Sequence, residues 1–232
     1  MYEWLDTTIQ TEFEPLKLLK KSERGTVNLI RHRATGQKMI LRRFRGNADV
    51  YQNLLNCTYS NLPNIYEVAS KGNEHLVLEE YIQGDNMGTM LEDTLFSSKE
   101  TGSIICQICR ALWVLHSMGA VHRDVKPENI VLRGADAILI DFDASRFYKD
   151  DNKGDTQVLG TLGFAAPEQY GISQSNTSVD IYALGVLINI MLTGEHPSYK
   201  LVDGHWGRIV THCTLINPKK RYKSVLQLMN EL

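Results

Sequence analysis

The chain has 232 residues, 43% of them hydrophobic and 22% charged, which is the composition of a folded globular protein and not of a disordered one. Its 25 Lys and Arg residues against 27 Asp and Glu residues give a formal charge of −2, so we expect no nucleic-acid partner held by phosphate contacts. The four cysteines are too few and too scattered for a disulfide framework, which favours a reducing compartment. Residues 1–10 are too polar for a secretory signal, and the longest apolar run, residues 181–192, is too short to span a membrane. Together these features predict a soluble cytoplasmic domain with no membrane segment.

Short apolar and β-branched runs dominate the first 81 residues and predict five strands, which cover residues 13–19, 27–31, 38–44, 65–69 and 76–80. A single helix is predicted among them, over residues 47–57. Asn47 can cap this helix, and Val50 and Leu54 lie on one face.

After Gly84 the spacing of apolar residues becomes helical. It predicts a helix through residues 104–115 ending near Gly119, a second from Ser178 or Asp180 to Leu192 closed by Gly194, and a third over residues 222–232. The coarse organisation is a small sheet-rich part followed by a larger helical part.

Three short motifs carry the chemistry of the chain. The sequence H-R-D-V-K-P-E-N occupies residues 122–129, D-F-D occupies residues 141–143 after an apolar run, and A-P-E occupies residues 166–168. In this order and spacing the motifs resemble those of the eukaryotic-type protein kinase family, and the resemblance covers nearly the whole chain.

The resemblance implies an α+β, bilobal protein-kinase-like fold. Residues 1–232 would form one kinase domain, with a small antiparallel-sheet N-lobe (residues 1–81) and a helical C-lobe (residues 82–232). The implied activity is that of a Ser/Thr-type protein kinase, which transfers the γ-phosphate of ATP, bound with Mg²⁺ in the cleft between the lobes, to a hydroxyl of a protein substrate.

Phosphoryl transfer needs an aimed nucleophile and neutralised phosphate charge, and the motifs supply residues for both. By resemblance, Asp124 would accept or orient the substrate hydroxyl proton, and Lys126 would contact the γ-phosphate. Asn129 and Asp141 would be the metal ligands, since Mg²⁺ prefers hard oxygen donors. The alternative is that Asp124, Asn129 and Asp141 are loop residues that cap turns.

Other positions also match the family. Asp180 resembles the aspartate that braces the catalytic loop, and Arg221 resembles the arginine that pairs with the glutamate at Glu168. Thr161 matches the threonine that contacts the catalytic aspartate, and Thr156 is a candidate phosphorylation site that is equally well explained as an unmodified loop residue.

The nucleotide-binding part of the family pattern is much weaker. Gly25 and Val27 align with the end of the glycine-rich loop motif, but Lys20 and Ser22 stand where its first two glycines should be. Side chains there crowd the approach of backbone to phosphate. Lys20 either compensates by its charge or is a solvated turn residue. Arg42 replaces the family lysine, and its longer, planar side chain should impair phosphate positioning.

The acidic partner of that lysine is also missing, because Val50 aligns with the family's helix glutamate. Glu79 falls at the gatekeeper position, at the back of the nucleotide cleft, where an unpaired carboxylate is costly. We therefore predict that Glu79 pairs with Arg42; a register error of one residue would instead put Glu79 on the solvent side. The residues expected to contact nucleotide are Gly25, Val27, Leu41, Arg42, Glu79, Glu80, Tyr81 and Ile82.

Asp143 stands where the family's D-F-G motif has glycine, and the variant over residues 143–146 is similar to that of kinases from Gram-positive bacteria. These departures leave two functions open. One is a protein kinase with an altered nucleotide side, in which Arg42 is either tolerated or an inactivating substitution. The other is a pseudokinase, a signalling scaffold that binds nucleotide or partners without catalysis.

Overall fold

The computed structural model describes residues 1–148, 163–170 and 176–232. Within it the chain divides into two compact units, unit 1 (Met1–Gln83) and unit 2 (Gly84–Leu232). The candidate residues Thr156 and Thr161 lie outside the described residues. An antiparallel sheet in unit 1 and mainly helices in unit 2 confirm the α+β fold class.

Unit 1 is built on a five-stranded antiparallel sheet with the order β1-β2-β3-β5-β4. All five strands predicted from the sequence are present: β1 (Phe13–Ser22), β2 (Gly25–His32), β3 (Lys38–Arg45), β4 (Ile65–Lys71) and β5 (Glu74–Glu80). Helix α2 (Asp49–Leu54) is shorter than predicted. It starts late because the Asn47 side chain accepts a hydrogen bond from the Asp49 N–H at 2.7 Å, which forms a turn before the helix.

The N-terminal helix α1 (Tyr2–Glu12) was not predicted from the sequence. Its buried residues Leu5 and Ile9 pack on one face of the sheet, in a cluster that includes Leu41. Leu41 lies opposite Leu78 of β5, so it faces α1 and not the face that carries Arg42. The expectation that Leu41 contacts nucleotide is therefore wrong, because successive residues of a strand point to opposite faces.

Helix α1 should contribute substantially to the stability of unit 1. Leu5 is 3% exposed, so we expect Leu5→Ala to lower the free energy of unfolding by about 2–5 kcal/mol. Trp4, on the same helix and 62% exposed, is the matched control, and Trp4→Ala should change that free energy by no more than about 0.5 kcal/mol. Urea denaturation of both variants measures the difference, and equal losses would contradict a packing role for α1.

Unit 2 is mainly helical, with short strands that hold its loops. The helices are α3 (Met87–Asp93), α4 (Ser98–Ser117), α5 (Ser178–Thr193), α6 (Gly204–Cys213) and α7 (Val225–Met229). The strands are β6 (Asp85–Asn86), β7 (Ala120–Val121), β8 (Ile130–Arg133), β9 (Asp136–Leu139) and β10 (Arg146–Phe147).

Two of the helices of unit 2 confirm the sequence prediction, although α4 begins six residues before the predicted 104–115. Helix α4 begins with a capping box formed by Ser97 and Glu100 and ends two residues before Gly119. Helix α5 ends at Gly194, which adopts the left-handed conformation with φ 75°. The last helix, α7, is shorter than the predicted 222–232, and α3 and α6 were not predicted. Among the described residues, none of the helices has the length and apolarity that crossing a membrane requires.

Candidate functional site

The buried carboxylate of Asp180 on α5 binds the backbone of the loop over residues 122–129. One carboxylate oxygen accepts hydrogen bonds from the His122 N–H at 2.9 Å and from the His116 ring at 2.8 Å. The other accepts the Arg123 N–H at 2.8 Å, which helps to hold Arg123 in a left-handed conformation with φ 71°. The contact of Asp180 with this loop, expected from the family resemblance, is confirmed.

The charge of Asp180 is maintained although the residue is fully buried. Burial alone raises the pKa of this carboxyl, but the hydrogen bond from His116 and its electrostatic interaction, together with the contacts of His122, outweigh it and hold the pKa below its ordinary value. Asp180 is therefore an ionised carboxylate at neutral pH, which makes its hydrogen bonds to the loop backbone stronger than those of a neutral group.

The His122 side chain connects this loop to the segment that follows β9. Burial lowers the pKa of His122, so its ring is neutral at pH 7. The Nε2 atom lies 3.3 Å from the Ile140 carbonyl oxygen, and the Asp124 N–H donates to Nδ1 at 3.4 Å, which is the pattern of a neutral ring protonated at Nε2. The ring also makes an edge contact with Phe142 at a centroid distance of 5.7 Å.

Three of the four predicted catalytic residues form one hydrogen-bonded cluster. The Asp124 carboxylate oxygen Oδ2 lies 2.9 Å from Lys126 Nζ and accepts a hydrogen bond from Asn129 Nδ2 at 2.9 Å. The same amide nitrogen donates to the Asp124 backbone carbonyl at 2.8 Å. The amide nitrogen of Asn129 thus points toward Asp124, and the amide oxygen points away from it.

The fourth predicted residue, Asp141, follows β9 and is connected to the cluster through the backbone. The Ile140 N–H donates to the Asn129 carbonyl at 2.9 Å, so the residues before and after Ile140 lie beside the end of the loop. Asp141 is 7% exposed and has a positive φ of 70°. Asp143 does not have a positive φ, so aspartate replaces the family glycine without that kind of backbone strain.

The donor set of Asn129 and Asp141 fits Mg²⁺. An amide oxygen and a carboxylate are hard ligands, and Mg²⁺ characteristically takes one or two protein ligands together with phosphates and water. In the part of the chain that the structure describes, no group of three His, Cys, Asp or Glu side chains is arranged to hold a metal ion. A Mg²⁺ ion held by Asn129 and Asp141 would take further ligands from phosphate oxygens and water.

The segment around Glu168 is tied to the same framework. Arg221 donates two hydrogen bonds to the Glu168 carboxylate, at 2.6 and 2.9 Å, and a third to the Ser178 carbonyl at 3.0 Å. This confirms the ion pair expected from the family resemblance. Gln169, which sequence reasoning missed, donates to the Arg123 carbonyl at 3.2 Å and accepts from the Ala166 N–H at 2.9 Å. In the sequence, Gln169 only follows A-P-E, and nothing in that position indicates a contact with the loop over residues 122–129.

In unit 1, Arg42 and Glu79 form a buried ion pair. Arg42 Nε donates to Glu79 Oε1 at 2.7 Å, and the two side chains are only 4% and 3% exposed. In the strand register Arg42 lies opposite Val77 and Glu79 lies opposite Ile40, so the pair is diagonal on one face of the sheet. The predicted pairing is confirmed, and the alternative that Glu79 points to solvent is wrong.

Helix α2 contributes an aromatic ring to this pair instead of a carboxylate. The guanidinium carbon of Arg42 lies 5.9 Å from the centre of the Tyr51 ring, within the range of a cation–π interaction. Val50, which aligns with the family glutamate, is buried. The partner of Arg42 therefore comes from the neighbouring strand, and the pair is built inside the sheet.

The β1–β2 hairpin is paired up to its tip. Ser22 lies opposite Gly25 and Lys20 lies opposite Val27. A Cβ atom at Gly25 would lie 1.9 Å from the Arg43 carbonyl oxygen, so glycine is required there by the close approach of β3. Val27 is 9% exposed and lies opposite Arg42, on the same face of the sheet.

The residues after Glu79 are engaged in several local contacts. Glu80 donates its N–H to the Asn64 carbonyl at 2.8 Å, and its carboxylate accepts from the Asn64 N–H and side-chain amide at 3.1 and 2.8 Å. The Tyr81 ring lies 6.0 Å from the ammonium group of Lys38, and Ile82 is buried. Because the N–H of Glu80 is used by Asn64, any adenine contact at this residue would use its carbonyl oxygen.

Comparison with known proteins gives consistent matches. A family model described as a protein kinase domain matches residues 14–229. Serine/threonine-protein kinase D of Synechocystis sp. is 31% identical over 214 residues, which cover 82% of this chain and 41% of that protein. Serine/threonine-protein kinase PknA of Nostoc sp. is 29% identical over 190 residues, which cover 78% of this chain and 33% of that protein.

A mouse protein, serine/threonine-protein kinase DCLK3, is also similar, at 28% identity over 245 residues covering 88% of this chain and 31% of that protein. The chain thus spans about two-fifths or less of the length of these relatives. Because they come from bacteria and animals alike, the expected Gram-positive lineage stays a prediction.

Proposed function

Because this chain belongs to the eukaryotic-type Ser/Thr protein kinase family, we propose that residues 1–232 act as one kinase domain that transfers the γ-phosphate of ATP to a Ser or Thr hydroxyl of a protein substrate. The observation that carries the proposal is the cluster in which the Asp124 carboxylate is held at 2.9 Å by both Lys126 and Asn129. A scaffold that only binds partners has no physical need for this arrangement.

The transfer step would rest on residues of unit 2. The Asp124 carboxylate accepts a hydrogen bond from the substrate hydroxyl and orients the hydroxyl oxygen toward the phosphate. Lys126, already adjacent to that carboxylate, supplies a positive charge for the transferred phosphoryl group. Asn129 and Asp141 would hold Mg²⁺, which neutralises phosphate charge when it is bound.

The nucleotide would be held by residues of unit 1. Val27 offers an apolar contact, and Arg42, anchored by Glu79, keeps a fixed positive charge on the same face of the sheet. The backbone of residues 80–82 would contact the adenine. Gly25 would contribute indirectly, by shaping the hairpin: its missing side chain lets β2 approach β3 closely.

The second candidate function is a pseudokinase scaffold, which binds nucleotide or partner proteins without transfer. It is favoured by one specific observation: the β1–β2 hairpin is paired up to Ser22 and Gly25, with Lys20 and Ser22 in place of the glycines that let backbone approach phosphate. The two functions differ in a single measurable property, the transfer of phosphate.

Phosphate transfer from ATP in the presence of Mg²⁺, to the chain itself and to a generic protein substrate, distinguishes the two functions. We expect the unaltered chain to transfer phosphate and Arg42→Lys to transfer it no faster, because Glu79 is placed to pair with the arginine. Transfer by Arg42→Lys alone would show that Arg42 inactivates the enzyme. Absence of transfer in both chains, with ATP still bound, would support the scaffold.

A further inference from the structure

The strand register places a second positively charged residue on the face of the sheet that carries Arg42. Lys20 of β1 lies opposite Val27 of β2, and Val27 lies opposite Arg42 of β3. Residues directly opposite one another in antiparallel strands project to the same face. Lys20 and Arg42 therefore share one face and are separated by two strand spacings, about 10 Å at the backbone.

The surroundings of these two cations differ. Arg42 is 4% exposed and is bound to Glu79 inside the sheet, so moving its guanidinium group would leave a buried carboxylate without that charge partner. Lys20 is exposed on an edge strand, and its ammonium group sits on a flexible four-carbon stem. Of the two cations, Lys20 is the one whose contacts lie at the surface, so a charged ligand can draw its ammonium group closer without breaking a buried ion pair.

From this arrangement we propose that Lys20 is a phosphate-positioning residue of the nucleotide site. It supplies, from the hairpin, the adjustable positive charge that the buried Arg42 does not supply. The inference rests on the proposed function, since it concerns how the same nucleotide would be held. It explains how a hairpin that has lysine in place of a glycine can serve a triphosphate: a compact ammonium group binds phosphate as a point charge and replaces the close approach of backbone N–H groups.

The neighbouring Lys21 is a matched control. It is also exposed and carries the same charge, but it lies opposite Thr26, in the row that continues through Arg43 to Leu76 on the face covered by α1. A loss of charge at Lys21 changes the overall charge of the hairpin as much as a loss at Lys20. A difference in ATP affinity between the Lys20 and Lys21 variants therefore depends on the face of the sheet on which the charge lies, and not on the net charge.

The test is calorimetric binding of ATP and of adenosine, both with Mg²⁺, to the full chain and to Lys20→Met, Lys20→Arg and Lys21→Met. We expect Lys20→Met to weaken ATP binding about tenfold and adenosine binding less than twofold, because only ATP carries the charge that Lys20 contacts. Lys20→Arg should retain most of the ATP affinity. Lys21→Met should change the affinity for either ligand less than twofold.

Equal effects of Lys20→Met and Lys21→Met on ATP binding would overturn the inference and leave the kinase function standing. An equal loss of ATP and adenosine binding in Lys20→Met would overturn it too, since that loss would not depend on the phosphates. If the unaltered chain bound neither ATP nor adenosine, the proposed nucleotide site itself would fail. Thermal unfolding midpoints that agree among the variants show that all of them are folded.

Discussion

Replacement of Asp124 by asparagine should reduce the rate of phosphate transfer by a factor of about 10² to 10⁴ and leave the affinity for ATP nearly unchanged. Asparagine keeps the size of the side chain and one oxygen that can accept from Asn129. It cannot accept a proton at neutral pH, and it loses the charge that lies 2.9 Å from the Lys126 ammonium group. Single-turnover transfer from ATP measures the rate, and calorimetry measures the affinity.

The control for this substitution is Asp136→Asn, which removes an exposed carboxylate from β9 of the same unit. Both variants lose one negative charge, so a general effect of net charge would change their rates equally. If Asp124→Asn kept more than a tenth of the original rate, Asp124 would not be the residue that orients the substrate hydroxyl. If it lost ATP affinity to the same extent as rate, its effect would be on binding and not on transfer.

The candidate residues of the loop over residues 122–129 were indicated by the resemblance to the kinase family, and their closeness in the chain explains how they come into contact. Asp124, Lys126 and Asn129 lie within six positions, so one turn of backbone is enough to bring them into contact. The strands of unit 1 were predictable because short apolar and β-branched runs are a local signal. The contact of Asp180 with this loop was also indicated only by the resemblance to the kinase family, and it comes from a distant helix, so no local pattern predicts it.

Three helices, α1, α3 and α6, were missed, and the reasons for α1 and α6 differ. Helix α1 buries only Leu5 and Ile9, and such a sparse apolar pattern is weak evidence for a helix until a sheet face is known to lie beneath it. Helix α6 did carry a helical signal, because Trp206, Ile209 and Cys213 recur at intervals of three and four residues. Three apolar residues over eight positions are too short a pattern to identify a helix without the elements that pack against it.

The pair of Arg42 and Glu79 shows the limit of what sequence can decide. The two residues are 37 positions apart, and a shift of one residue in the pairing of β3 with β5 would move Glu79 to the other face. The cost of burying an unpaired carboxylate favoured the pairing, but the register came only from the structure. Once the register is known, the choice of arginine follows, because a longer side chain can reach a diagonal neighbour.

Removal of the Glu79 carboxylate should destabilise unit 1 strongly. Glu79→Met leaves the positive charge of Arg42 in surroundings where the side chain is 4% exposed, and we expect a loss of about 3–5 kcal/mol in the free energy of unfolding. Urea denaturation followed by circular dichroism measures this free energy. The loss comes from the charge left behind more than from the hydrogen bond itself, because the removed carboxylate no longer offsets the cost of burying the guanidinium group.

The sheet provides a matched control between the same two strands. Arg45 of β3 and Glu74 of β5 form an ion pair at 2.6 Å, but their side chains are 69% and 47% exposed, so water replaces the lost partner. Glu74→Met should therefore cost several times less stability than Glu79→Met. Equal losses in the two variants would contradict the view that burial makes the inner pair important.

A double variant separates the structural role of the pair from its role toward nucleotide. Replacing Arg42 and Glu79 together by methionine removes both charges, and apolar side chains of similar volume can fill the space, so most of the stability lost in Glu79→Met should return. ATP binding should be weaker in the double variant than in the unaltered chain, because the fixed positive charge on that face of the sheet is gone. Recovery of stability together with full ATP affinity would mean that Arg42 serves the fold alone and that the phosphates are held by other residues.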